Sequence, residues 1–252
     1  MKIFENEYGK YVIVGEAIEK IGRCHILAAL RRKQVYEGET LEFIKHNVNN
    51  KSMVHAGTYI GDFLPALSSF TTGRIFAFEP NVDVIECVKE TIKINNLTNV
   101  IFRNKALGKE PSTLDLIYRY HNDTTIGGGA RFRKWGVGRN EKLFKYYNPE
   151  NKTIKVEVTT IDSVVYEPIS IIQLDVEGYE GVALEGAIET INKYKPILIL
   201  ERVEEEYEIL KTIKENLGYK EIMKLDGYNH VYAPHDTPIK AKGGVIANLA
   251  QL

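Results

Sequence analysis

Apolar residues fall along this chain in two rhythms. Five short runs are apolar almost without interruption: Met53 to Ala56, Ile75 to Phe78, Val100 to Phe102, Ile169 to Leu174 and Pro196 to Leu200. Such short unalternating runs predict strands buried on both faces, as in a parallel sheet covered by helices. Between them the period is helical. Val84, Ile85, Val88 and Ile92 share one face before Asn95-Asn96, and Val182 to Ile188 packs back after the fourth run. Strands and helices alternating in this way predict a doubly wound, Rossmann-like α/β sheet.

The flanks read differently. Tyr8 to Val14 predicts a short strand, Ala17 to Arg32 a helix with Ile18, Ile21, Ile26, Leu27 and Leu30 inward, and Leu41, Phe43 and Ile44 a second helix capped by Thr40. Residues 1–50 are therefore expected to form a helical cover ahead of a main domain over 51–252. Within that domain Leu114, Leu116 and Tyr118 alternate, as do Ile154, Val156 and Val158, so about 112–160 reads as a β-hairpin insertion. Glu204 to Leu217 has the pattern of an amphipathic helix, and Tyr219 to Met223 and Asn229 to Ala233 that of closing strands around Asp226-Gly227. Gly243 to Leu252 is apolar and short, a docked tail or an oligomer contact, which leaves the oligomeric state open.

Composition narrows the class. At 252 residues and 44% apolar, the chain is long enough to bury the core of one large α/β domain. A net charge of −1 gives no global attraction to nucleic acid or to an anionic membrane. Cys24 and Cys87 make neither a metal pair nor a disulfide framework, which fits a reducing cytosol. The amino terminus lacks a signal-peptide core and no stretch reaches the roughly 18 apolar residues of a membrane span. The expectation is a soluble, cytoplasmic protein.

Chemistry concentrates at the ends of the apolar runs. The first enters a turn bearing Gly57 and Gly61, and the second closes on Glu79 before Pro80. A glycine turn after one strand, with an acid about 20 residues on at the end of the next, is the layout that holds a nucleoside: glycine admits close approach and the acid accepts from ribose hydroxyls. On this layout Asn104 and the backbone near Ala106 lie beside an adenine ring, although asparagine after a strand also serves as a plain turn former. Glu37 is either a helix-start acid favoured by the dipole or the partner of a cationic ligand group. The fourth run ends on Asp175, with Glu177 and Glu180 following, and the fifth on Glu201. Asp175, Glu177 and Glu201 delivered to one sheet edge make a carboxylate-rich pocket, and such oxygens also suit Mg²⁺ or Ca²⁺, so a divalent cation is an open option with no metal ligands assigned.

Between the two alternating segments lies His121 to Gly129 with a triple glycine, then Arg131, Arg133, Lys134, Trp135, Arg139, Lys142 and Lys145. This reads as a mobile flap that would steer an anionic acceptor, or as a solvated loop. Trp135 among cations could stack on single-stranded RNA, yet the rest of the chain offers no basic track for a phosphate backbone, and nucleic acid is not the expected partner.

Three blocks resemble the FkbM family of S-adenosylmethionine-dependent methyltransferases: Val54-His-Ala-Gly-Thr-Tyr-Ile-Gly-Asp62, Ala77-Phe-Glu-Pro80, and Leu174-Asp-Val-Glu-Gly-Tyr-Glu180 with Leu184-Glu-Gly-Ala187 behind it. Tyr36-Glu37 and Lys105-Ala-Leu-Gly108 are shorter echoes. The resemblance covers roughly Tyr36 to Glu201 and implies a class I methyltransferase sheet, S-adenosylmethionine as cofactor, and methylation of a hydroxyl on a sugar, glycan or other small metabolite. It puts His55, Gly57, Thr58, Tyr59, Gly61, Glu79, Asn104, Ala106, Asp175 and Glu37 along the cofactor. Asp175 is then the first choice for general base, with Glu177 and Glu201 as alternates. His55 stands where the family has an acid, and Thr58-Tyr59 where it has Ala-Asn, which leaves Glu37 or a water to meet the methionine amine. Two other readings compete. A nicotinamide-dependent oxidoreductase is disfavoured by the missing GxGxxG, and a non-catalytic binding module or partner subunit is kept open by His55.

Overall fold

The apolar runs become the five parallel strands of a seven-stranded sheet. A computed structural model describes residues 1–15, 25–132, 148–201, 208–241 and 244–247, with Ala241 and the last four by backbone alone. The chain begins with β1 (Lys2–Asn6), β2 (Gly9–Ile13), α1 (His25–Arg31) and α2 (Gly38–Asn47). The first sheet half follows as β3 (Ser52–Ala56), α3 (Leu64–Phe70), β4 (Ile75–Phe78), α4 (Ile85–Ile94) and β5 (Val100–Arg103). Next come β6 (Ala106–Leu107), β7 (Ser112–Arg119), β8 (Arg131–Phe132), β9 (Lys152–Thr159) and α5 (Ile161–Val164). The second half is β10 (Ile169–Leu174), α6 (Glu180–Glu185), α7 (Ile188–Tyr194), β11 (Ile197–Glu201), α8 (Glu208–Leu217), β12 (Tyr219–Leu225) and β13 (Asn229–Pro234). A small pair, β14 (Ile239–Ala241) and β15 (Gly244–Ala247), ends the described chain.

The strand order is β12-β13-β11-β10-β3-β4-β5. From β3 the chain runs outward through β4 to β5, then returns to β10 and proceeds the other way to β11. The direction of winding reverses between β3 and β10, so the connections part there and leave a crevice at the carboxyl ends. Gly57 leaves one of these strands and Asp175 the other, with the Asp175 amide donating to the Ala56 carbonyl at 3.0 Å. β13 runs antiparallel to both β11 and β12.

Alternation along each buried strand feeds two layers. Val54, Ala56, Phe76, Phe78, Ile172 and Leu174 pack with Leu184, Ile191, Leu210 and Ile213 on one face. Met53, Ile75, Ala77, Ile171 and Ile199 pack with Ile44, Leu64, Leu67 and Val88 on the other. Both layers are built from buried apolar side chains, which is why the runs carry so few polar residues.

The amino-terminal segment departs from an all-helical cover by opening on a β1–β2 hairpin. Tyr11, Ile13, Leu27 and Leu30 rest on Tyr59, Ile60, Val84 and Cys87, so hairpin and α1 together cap the glycine turn. The expected helix start near Ala17 and the opening of the helix before Glu208 lie outside the described residues. Thr40 does not cap α2. It sits within the helix, fully buried, and its amide and hydroxyl both donate to Asp226 Oδ2, at 2.9 and 2.7 Å. The free amides at this helix start are met by a carboxylate from the β12–β13 turn, a partner that local sequence does not reveal.

The insertion is the hairpin that alternation predicts: β7 pairs with β9 from Ser112 opposite Val158 to Arg119 opposite Lys152, and β8 adds to β7. It is moored by Arg119, whose Nη2 and Nε reach Asp83 at 2.7 and 2.9 Å, and by Asn81 Nδ2 donating to the Gly127 carbonyl at 3.2 Å. Gly127–Gly129, read from sequence as part of a mobile flap or a solvated loop, form a single 3₁₀ turn against the main domain. Arg133, Lys134, Trp135, Arg139, Lys142 and Lys145 lie outside the described residues.

The root of the insertion meets the second sheet half at Gly186, where an added Cβ would stand 2.0 Å from the Gly108 carbonyl oxygen and 3.2 Å from the Thr160 Cβ. Gly186→Ala should therefore cost about 1–3 kcal/mol by forcing backbone apart, read as a lowered urea midpoint with unchanged m.

Candidate active site

The crevice between β3 and β10 opens into a pocket that draws its walls from four places. Gly57 comes from the β3 turn, Phe78, Glu79 and Pro80 from β4, Lys105, Ala106 and Leu107 from the β5–β6 link, and Asp175, Val176, Glu177 and Tyr179 from the turn after β10. The insertion closes it with Leu116, Gly128, Ala130, Arg131 and Phe132.

Gly57 is obligatory here. Its φ is +84°, and a Cβ would fall 1.8 Å from the Asp175 carbonyl oxygen, so the two strand ends approach only because no side chain intervenes. Glu79 is 7% exposed, and its two oxygens accept from the Tyr59 and Asn81 amides, each at 2.8 Å. Burial pushes its carboxyl up to about 7, against the pull of those two amides. Each oxygen retains a lone pair for a ligand hydroxyl. Asn104 donates from Nδ2 to the Glu79 carbonyl at 2.8 Å, so its side chain secures the strand end and stands outside the pocket wall.

The turn after β10 is held from below by Glu180. Fully buried, it accepts from the Val176 and Gly178 amides at 3.0 and 3.2 Å, and burial raises it to about 7. This clamp holds Glu177 in a left-handed backbone, φ 55°, a conformation uncommon for a side-chain-bearing residue. Carboxylate atoms of Asp175, Glu177 and Glu201 lie within 4.8 Å of one another. Asp175 is raised well above the ordinary carboxylate range, first by burial, then by the charge of Glu201 and a hydrogen bond with it. Carboxyls this close share protons, and the trio can take up a proton, an organic cation or a hard metal ion.

The remaining expected contacts fall elsewhere. His55 faces the helical layer that also receives Met53 and Ala77; its Nδ1 bonds Gln173 Oε1 and its ring stacks on Phe63 at 5.6 Å. Burial pushes the imidazole down to about 4, so it is neutral, with Nε2 unpartnered among the described residues, and it does not line the pocket. Thr58 is buried with its hydroxyl unpartnered among the described residues, Tyr59 serves through its amide, and Gly61 at φ +84° shapes the turn away from the wall. Glu37 also lies off the wall, bonded to Tyr228 and Asn229. Sequence reasoning missed Phe132 and Tyr179, whose ring centroids are 4.6 Å apart, and Leu116. Phe132 belongs to a two-residue strand too short to show a period.

A family model of the methyltransferase FkbM domain matches residues 55–221, from the glycine turn into β12. The chain belongs to the FkbM methyltransferase family. The match spans both halves of the parallel sheet and the crevice between them. Similar solved structures include an FkbM methyltransferase from Methylobacillus flagellatus, 16% identical, covering 73% of this chain and 43% of that one, with a TM-score of 0.49. TYW2 from M. jannaschii in complex with AdoMet is 16% identical over 92% of this chain and 83% of that one, TM-score 0.47. A SAM-dependent methyltransferase from Aquifex aeolicus is 13% identical over 88% and 98%, TM-score 0.42. This chain thus spans less than half the length of the M. flagellatus protein, and likeness at this level says nothing about activity or substrate. No curated protein matches the sequence.

The buried acids of this FkbM domain make stability depend on pH. Glu180 is raised from 4.5 to about 7 on folding, so its stabilising share is complete below 4.5 and is lost as pH climbs through 7. Glu180→Gln keeps the shape without the charge. Relative to wild type it should gain on the order of 2–3 kcal/mol between pH 4.5 and 8, measured by urea unfolding across that range.

Proposed function

We propose that this FkbM-family protein transfers a methyl group from S-adenosylmethionine to a hydroxyl oxygen of a sugar, glycan or other small hydroxylated acceptor. The observation that carries the reading is the pairing, in one pocket at the switch point, of the amide-tethered Glu79 with the carboxyl group of Asp175. The cofactor supplies a methyl on a sulfonium; everything else falls to this chain. Glu79 would accept from the ribose hydroxyls with its free lone pairs. Ala106, Leu107, Leu116, Phe132 and Tyr179 form the apolar wall suited to a purine.

Oxygen attack requires that the hydroxyl proton leave, and Asp175 is the base we assign. A carboxyl held well above its ordinary range by burial and by Glu201 is a stronger base than a free carboxylate. Glu201, hydrogen-bonded to Asp175, and Glu177 are the alternates. Arg131, 44% exposed and 3.5 Å from Glu177, and Lys105, 41% exposed and 2.8 Å from Glu157, stand at the rim and favour an acceptor that bears negative charge.

Glu79→Ala should weaken S-adenosylhomocysteine binding by about 1.5–3 kcal/mol, the loss of hydrogen bonds to a charged group, with the fold retained. Unchanged affinity in calorimetry would mean that the ribose is held elsewhere. Asp175→Asn should leave cofactor affinity near wild type and lower turnover roughly 10²–10⁴-fold. The acceptor for that assay is found by screening polyols, glycosides and sugar phosphates for S-adenosylhomocysteine release; full turnover by the variant would remove Asp175 from the role.

A further inference from the structure

We propose that Glu37 is the counter-ion for the ammonium group at the amino-acid end of the cofactor, carrying the charge that the glycine block lacks at His55. The proposal rests on the methyltransferase reading above. His55 cannot meet a cation, because it is neutral, faces the helical layer, and is tied to Gln173 and Phe63.

Glu37 has the opposite character. It is 9% exposed, and each oxygen is already oriented by one donor: Oε1 by the Tyr228 hydroxyl at 2.8 Å, Oε2 by Asn229 Nδ2 at 2.9 Å. A carboxylate has about four acceptor positions, so two remain for a ligand. Tyr36 adds a second tier, its hydroxyl 2.8 Å from that of Tyr228. Because the Tyr228 proton is spent on Glu37, Tyr36 must donate to Tyr228, and the chain of hydroxyls stiffens the carboxylate.

Register places this group at the working edge of the sheet. Asn229 stands opposite Glu201 across β11 and β13, and β10, the neighbour of β11 on its other side, ends on Asp175. Glu37, hung from Asn229, therefore lies over the same carboxyl edge as the pocket acids. The simpler role of capping α2 is not what its side chain does: Glu37 makes no cap hydrogen bond, and Asp226 serves the helix-start amides. Charge balance points the same way. Among the described residues neither Glu37, Asp62 nor Asp175 forms an ion pair with a lysine or arginine, although Asp62 and Asp175 both feel the Glu37 charge. Acids gathered without a cation are costly until one arrives.

The test compares S-adenosylhomocysteine with 5′-methylthioadenosine, which keeps the nucleoside and thioether but lacks the ammonium and carboxylate. In calorimetry Glu37→Gln should bind S-adenosylhomocysteine about 10- to 100-fold more weakly and bind methylthioadenosine within about twofold of wild type. Unchanged S-adenosylhomocysteine affinity, or an equal loss for both ligands, overturns the proposal. Should Glu37→Gln fail to fold, Tyr228→Phe decides: it removes one tether and should weaken S-adenosylhomocysteine alone, whereas equal effects or none overturn it. Wild-type protein that binds neither ligand would instead overturn the methyltransferase reading, and this assignment with it.

Discussion

Everything in this domain depends on two strand ends brought closer than side chains permit. Gly57 and the Asp175 carbonyl meet where any Cβ would be excluded, and the winding of the sheet reverses across that contact. From it follow the width of the crevice, the position of Glu79 one strand away, and the delivery of Asp175 to the same rim. Glu180 secures the contact from the other side by holding the turn that carries Asp175 and Glu177.

The acids of the site are of two kinds. Glu79 and Glu180 are each satisfied by two backbone amides, so they are fixed and lend rigidity. Asp175 is half-buried against like charge and is therefore the group whose proton count responds to what binds. A pocket built this way is poorly stable when fully ionised and empty, and gains most from a cationic occupant.

Much of this could be read along the chain because the signals were local. Unbroken apolar runs gave away the parallel strands, and their terminal acids, Glu79, Asp175 and Glu201, marked the rim without reference to any contact. Two kinds of feature were out of reach. Asp226 capping α2, and Asn229 orienting Glu37, join residues 186 and 192 positions apart, so no window of sequence contains both partners. Phe132 and Tyr179 meet only because the insertion folds back over the pocket. His55 is the intermediate case: it shares strand parity with Met53, and that parity already turned it toward the helical layer.

The bond between Asp226 and the start of α2 has a consequence in time. Contacts of such sequence separation form late, since a long loop must close before they return any free energy. The core strands can pair while the segment from Tyr36 to Thr40 is still without its partner, and that segment settles only when the final hairpin docks. A chain whose final hairpin has undocked would keep its parallel sheet and lose what holds Glu37 and the start of α2.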